Sequence, residues 1–311
     1  MNVELIDGRL RFGERLVVSF HRTLRLPEDS STYPLPPGLG LLPVLLQSET
    51  NVDVPRFLVP LYRREALWIG FSAAAWKPNA VKVIAGGINA VSGLPDEGDG
   101  LDGPQDYVVC PDQPWLDGCN IGDGVIRQFV AMPLGEGYGL GAGTAAGEQG
   151  GLDMIAFDPL PGRFPDAPPP APPGPLKLSR MIANPSQEMT LGAGGRMRQK
   201  IYPDRFGRDV WDEGAIGRAH VRLIDARAWR TLAGEEAPQS PIDAESYTRA
   251  GLPWFNIYDE GEVTVAPAAP EPPRTIGERD RTRGTTSTDR PIDVNIRQIT
   301  IIDHNKTGRP D

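Results

Sequence analysis

The sequence predicts a mainly β protein, a β-sandwich or barrel-like body followed by a smaller α+β C-terminal domain. Three observations carry that expectation. Glycine and proline supply 36 and 33 of the 311 residues; proline removes a backbone donor and glycine loses extra entropy in regular structure, so long helices are disfavoured and turns are frequent. Short apolar runs, many alternating with period two, recur between these turn residues, the pattern of half-buried strands. An Asp-Gly pair stands between two such runs near the start, where both turn residues must accept positive φ, a strong short-range hairpin signal.

In chain order, Val3 to Ile6 and Arg9 to Phe12 flank Asp7-Gly8 and read as that hairpin. Leu16 to Leu26 alternates as a long strand with Leu16, Val18, Phe20, Arg22, Leu24 and Leu26 on one side and His21 on the other. Tyr33 to Pro43 is too rich in proline and glycine for regular structure and is expected to cross the surface as a connector. Phe57 to Tyr62, Ala66 to Phe71 and Ala80 to Ala85 continue the sheet. Tyr107 to Cys110 and Val125 to Leu134 are two further strands, with Pro111 to Gly124 as an ordered loop anchored by Trp115 and Leu116. Gly135 to Gly151 has little to bury and is expected to be mobile, before a strand at Gly151 to Phe157.

Pro159 to Pro175 holds nine prolines in seventeen residues, which favours extended polyproline geometry. Residues 159–177 therefore read as a linker between a β-rich domain, 1–158, and an α+β domain, 178–265. In the second, Ala219 to Ile224 is a strand, Asp225 caps a helix stopped by Gly234, and Asp243 caps another stopped by Gly251. Trp254, Phe255, Ile257 and Tyr258 form an aromatic cluster that seals this domain. Residues 266–290 lack periodicity and read as a flexible tether. The tether ends in a strand at 291–303 that places Ile292, Val294, Ile296 and Ile302 on one face and Ile299 and Ile301 on the other.

The blocks PDQPWLDGCNIGDGVIRQFVAMPLG, GAGGRMRQKIYPD and YTRAGLPWFNIYDEG together resemble a family of uncharacterised bacterial proteins. They cover about a sixth of the chain, spread over both halves. The resemblance implies no activity, fold or cofactor.

Charge and composition exclude some functions. A formal charge of −9 opposes general nucleic-acid binding, which needs a basic surface. There is no apolar run of about 18 residues and no basic start followed by an apolar core, so no membrane span is expected and a cytoplasmic location is the default. Export by a route lacking a cleavable signal stays open. Cys110 and Cys119 are expected to be reduced and at least partly buried, although their spacing permits a disulfide.

Three constellations are candidates for binding. Asp112, Asp117, Asn120 and Asp123, preceded by Asp96, Glu97, Asp99 and Asp102, offer the oxygens that calcium requires, but not at EF-hand spacing; the alternative is Asp and Asn bonded to their own turns. Arg196, Arg198 and Lys200 follow a glycine-rich run and could hold an anion over a nest of backbone amides, or line a solvated face. Ile292, Val294, Ile296, Ile299, Ile301 and Ile302 mark an assembly strand that must find a sheet edge, its own or a neighbour's. No cofactor is otherwise implied.

No GxSxG elbow or cysteine nucleophile context is present, and His220 and Asp225 fall on opposite sides of one strand. The expected function is therefore non-enzymatic: a binding or assembly protein, forming a homo-oligomer, whose tethered C-terminal strand completes a sheet edge. The alternatives are a hydrolase using the loop carboxylates on a small or sugar-like substrate, and calcium-dependent carbohydrate or surface recognition. The ligand is not legible.

Overall fold

The computed structural model describes residues 1–47, 53–96, 98–103, 105–167, 181–182, 188–236, 239, 243–252, 254–258, 272–285, 292, 294 and 296–300. The protein is mainly β, as its composition predicts. β1 (Val3–Ile6) and β2 (Arg9–Phe12) pair with Ile6 opposite Arg9, and the turn residues Asp7 and Gly8 have φ of 49° and 71°. β3 (Leu16–Thr23) buries Leu16, Val18 and Phe20, the side chosen by its alternation. The connector Tyr33 to Pro43, expected to be irregular, instead takes in the end of β4 (Thr32–Tyr33) and all of β5 (Gly38–Leu41), which pairs with β3, and β6 (Leu45–Gln47) follows it.

β7 (Arg56–Leu61), β8 (Ala66–Ser72) and β9 (Asn79–Ala85) follow, then β10 (Ile88–Asn89) and β11 (Val108–Cys110). The stretch read as a loop contains β12 (Trp115–Leu116) and β13 (Gly118–Gly122), and β13 turns back on β14 (Val125–Pro133). Asp123 and Gly124 make that turn with φ of 55° and 68°. α1 (Ala145–Gln149) and β15 (Leu152–Pro159) complete the first half.

β16 (Met181–Ile182), β17 (Glu188–Arg198) and β18 (Trp211–Asp225) are followed by α2 (Ala226–Ala233), α3 (Ala244–Arg249), β19 (Trp254–Tyr258), α4 (Ile276–Thr282) and β20 (Ile296–Thr300). Asp225 and Asp243 cap α2 and α3 as expected, accepting from the amides of Arg227 and Ser246.

The strands of the second half do not form a separate domain. β17 lies antiparallel to β14 over most of its length, and β18 is inserted between β15, antiparallel, and β7, parallel. Side chains from both halves share one core in which Phe20, Phe57, Val83, Phe129, Met154, Leu191 and Val221 are buried together. Burial of each such side chain contributes about 1.5–3 kcal/mol, so neither half retains a complete core without the other. The division at 159–177 is corrected accordingly. Residues 168–177 of that stretch lie outside the described residues.

Two further expectations fail for one reason: glycines serve close packing. The segment read as mobile, 135–151, buries Tyr138 and Leu140 and holds α1 under a Thr144 cap. A Cβ on Gly141 would stand 2.0 Å from the Gly86 carbonyl oxygen, and one on Gly147 1.9 Å from that of Gly141, so backbone lies directly on backbone. Within the stretch read as a tether, Thr275 and Glu278 form a reciprocal capping box at the start of α4, and Ile276 is fully buried. Gly192 makes room for it, since a Cβ there would lie 2.9 Å from Ile276 Cγ1. Asp280 accepts from the Tyr138 hydroxyl at 2.7 Å and pairs with Arg64 at 2.6 Å. α4 is therefore clamped to the body.

Candidate functional site

The C-terminal strand expected to seek an edge is β20, and its partner is β19, in parallel, with Trp254 opposite Ile296, Ile257 opposite Ile299 and Tyr258 opposite Thr300. A parallel pair needs a long crossover, and the connection contains α4. Among the described residues, β19 and β20 pair with no other strand. Of the 291–303 expected, β20 covers Ile296–Thr300. Ile292 and Val294 precede it, and Ile301 and Ile302 lie outside the described residues.

The root of this ribbon is built into the body. Trp254 is fully buried, its indole donates to Thr248 Oγ1 at 3.0 Å, and it meets Tyr247 edge-on at 6.2 Å. Ile292 and Val294 are half-buried against the same cluster, which includes Leu24, Leu26, Tyr33, Ile126 and Met197. The Ile292 amide donates to the Tyr33 hydroxyl, which donates to Asp29. Burial and then Asp29 push the Tyr33 phenol up to about 12, so it stays a neutral donor. Both strands thus leave the core from one fixed aromatic point.

The calcium candidates do not come together. Asp112 takes a two-pronged pair with Arg205, at 3.0 and 3.1 Å. Asn120 spends its amide on the Val91 carbonyl and the Gly122 amide, and Asp123 occupies a turn. Asp117 is buried beside Gln199 and Trp115. Among the described residues no group of three or more His, Cys, Asp or Glu side chains could hold a metal.

The acidic loop that precedes them has a cation of its own, which the sequence reading missed. Lys82, fully buried, places its ammonium 2.8 Å from both Asp96 Oδ2 and Asp106 Oδ2 and donates to the carbonyls of Gly98 and Gly100. Burial pulls this ammonium down, but its hydrogen bonds and charge attraction to Asp106 and Asp96 outweigh it and hold it above the ordinary lysine value. A lysine inside the apolar run AVKVIA, upstream of an acidic loop, was the available signal.

The anion nest is corrected as well. Gly192, Gly194 and Gly195 lie within β17, where a Cβ on Gly195 would stand 2.5 Å from the Pro27 carbonyl oxygen and one on Gly194 2.5 Å from Val130 Cγ2. They admit a crossing chain, not a ligand. Arg198 is exposed, Lys200 lies beyond the strand over the Tyr202 ring at 5.0 Å, and Arg196 sits opposite Arg127 of β14.

The histidines find partners that sequence spacing could not reveal. His220 Nδ1 lies 2.6 Å from Asp153 across β15 and β18, while Asp225 is the cap of α2. His21 stacks on Trp68 at 3.9 Å, with Nε2 2.8 Å from Ser19 Oγ. Cys110 and Cys119 are buried and free. Among the described residues no helix is long and apolar enough to cross a membrane. No family model matches the chain, and no curated protein or solved structure matches it either.

Proposed function

We propose that the chain is a non-enzymatic binding or assembly protein whose C-terminal strand completes a sheet edge and, in an oligomer, offers that edge to another copy. The observation that carries this reading is the β19–β20 ribbon, which pairs with no other strand among the described residues. Two strands alone are marginal in water, and an unpaired strand edge is a template for a further strand. Anchoring at Trp254, Ile292 and Val294 supports the same reading, because a fixed root lowers the entropy lost when a second copy docks. Closed symmetric assembly is the usual outcome when identical chains recognise one another.

Light scattering on the full chain, on residues 1–285 and on full-length Gln298→Pro tests this. The truncation keeps α4, and the proline removes one backbone donor from β20. An oligomer that becomes a monomer in both variants supports the reading. A monomer at micromolar concentration in the unaltered protein, or an oligomer that survives both changes, overturns it.

A further inference from the structure

Among the described residues, the two buried cations, Arg22 and Lys82, are matched by carboxylates, as is the half-buried Arg64; the half-buried Arg127 and Arg196 are not. Arg22 pairs with Glu65, Lys82 with Asp96 and Asp106, and Arg64 with Asp280. Arg127 and Arg196 instead stand directly opposite each other on β14 and β17. Like charges in that position repel across a ladder.

The β-bulge is what creates the pair. The register of β14 against β17 shifts between Arg127 and Phe129, so that Phe129 faces Ala193 while Arg127 faces Arg196. Gly194 and Gly195 together stand opposite the single residue Gln128. The chain at Leu26 and Pro27 lies over Gly195, and Gln128 turns away to bond the Leu24 carbonyl and the Leu26 amide. Arg127 thereby lies close enough to Glu28 and to Glu278, in the first turn of α4, to feel their charges.

Neighbouring carboxylates do not neutralise them. Glu28 accepts from Arg25 at 3.4 Å and from the Gly277 amide at 2.6 Å, and Glu278 accepts from the Thr275 amide at 2.8 Å in the capping box. Arg127 donates only to the Gly194 carbonyl, at 3.3 Å, among the described residues. Arg196 has a buried Nε with no acceptor. Burial first, and then the charge of Arg196, lower the Arg127 guanidinium, against weaker opposing pulls from Glu28 and Glu278.

We propose that Arg127 and Arg196 form a binding site for an oxyanion, a phosphate or a carboxylate, whose oxygens bridge the two guanidiniums and accept from Arg196 Nε. An oxyanion supplies what the site lacks: an acceptor for the orphaned N–H and a negative charge between two positive ones. Guanidinium groups match such groups with paired, charge-assisted hydrogen bonds. Arg127 and Arg196 adjoin Ile126 and Met197, against which the root of the β19–β20 ribbon packs, but anion binding between the two arginines does not require assembly.

The test is thermal denaturation of the full chain in chloride with added inorganic phosphate or acetate at constant ionic strength, backed by isothermal titration. A saturable rise in Tm of several degrees is expected once the anion is in about hundredfold excess over its dissociation constant. The more effective of the two anions identifies the ligand as phosphoryl or carboxyl. Arg196→Gln should lose at least tenfold in affinity while melting in chloride no lower than the unaltered protein, because it also removes the repulsion. Arg196→Lys, which keeps the charge but lacks Nε, should bind more weakly than the unaltered protein, and Arg198→Gln should bind normally. Absence of a saturable shift with either anion, or a shift in Arg196→Gln and Arg196→Lys as large as in the unaltered protein at the same anion concentration, overturns the proposal.

Discussion

Replacing Asp117 with asparagine should stabilise the protein, and by clearly more at alkaline pH than near pH 5. Asp117 is fully buried on the segment between β12 and β13, with Gln199 Nε2 at 3.3 Å and the Trp115 side chain as its polar contacts and no cation among them. Burial pushes its carboxyl up to about 7, only partly offset by Trp115. An unfolded aspartate titrates near 3.9. The native state therefore holds a proton that the unfolded state has released between about pH 4 and pH 7, and stability falls as pH rises through that window. Roughly three pH units at about 1.4 kcal/mol each give an upper bound of about 4 kcal/mol, of which about 3 kcal/mol falls between pH 5 and pH 7. The carboxamide of Asp117→Asn mimics the protonated acid and does not titrate. Urea denaturation of both proteins at pH 5 and pH 8 measures the difference directly. Comparing the two proteins removes the contributions of Glu65 and Asp106, whose carboxyls burial also raises. If the advantage of the variant does not grow between the two pH values, the carboxyl is not the uncompensated group inferred here.

Three other perturbations test the packing. Lys82→Met leaves Asp96 and Asp106 facing each other without their cation and should cost about 3–5 kcal/mol in urea denaturation; a loss under about 1 kcal/mol would mean the loop carboxylates are not held by this ammonium. Gly192→Ala should displace α4 through its clash with Ile276, and tryptic cleavage after Arg279, Arg281 or Arg283 should then accelerate severalfold; an unchanged digestion pattern contradicts the docking. Burial holds the Cys110 thiol well above its usual value and pushes Cys119 up to about 12. Neither thiol should react with a disulfide reagent in the native protein, and both should react in urea; fast native reaction at either position contradicts the burial.

The strands of the first half were legible because each carries its own instructions. Asp7-Gly8 dictates the first turn, and the alternation from Leu16 to Phe20 selects the buried side. β17 was not legible, because its glycines at 192, 194 and 195 answer to partners remote in sequence: Ile276, Val130 and Pro27. A glycine that frees a turn and a glycine that admits a neighbouring backbone look the same in one dimension. The capping box at Thr275 and Glu278 was present in the sequence, yet it was outweighed by polar surroundings with a single buried apolar anchor, Ile276. The ionic sites failed differently. Carboxylates clustered in sequence suggested a missing cation, but the counter-charge was already supplied by Lys82 and Arg205 from other elements.

That contrast gives the arginine pair its meaning. A folded chain can neutralise a buried charge with a side chain from any strand that passes nearby, and it has done so for Asp96, Asp106, Glu65 and Asp280. The same opportunity exists at Arg127 and Arg196, where Glu28 and Glu278 are close enough to influence the charge of Arg127. Those carboxylates are instead committed to Arg25 and to the amides that begin α4. A site with neutralising groups within reach, but turned to other partners, retains a positive charge that a free anion can satisfy. The Arg196 Nε, buried without an acceptor, is the atom an oxyanion bridging the two guanidiniums would satisfy.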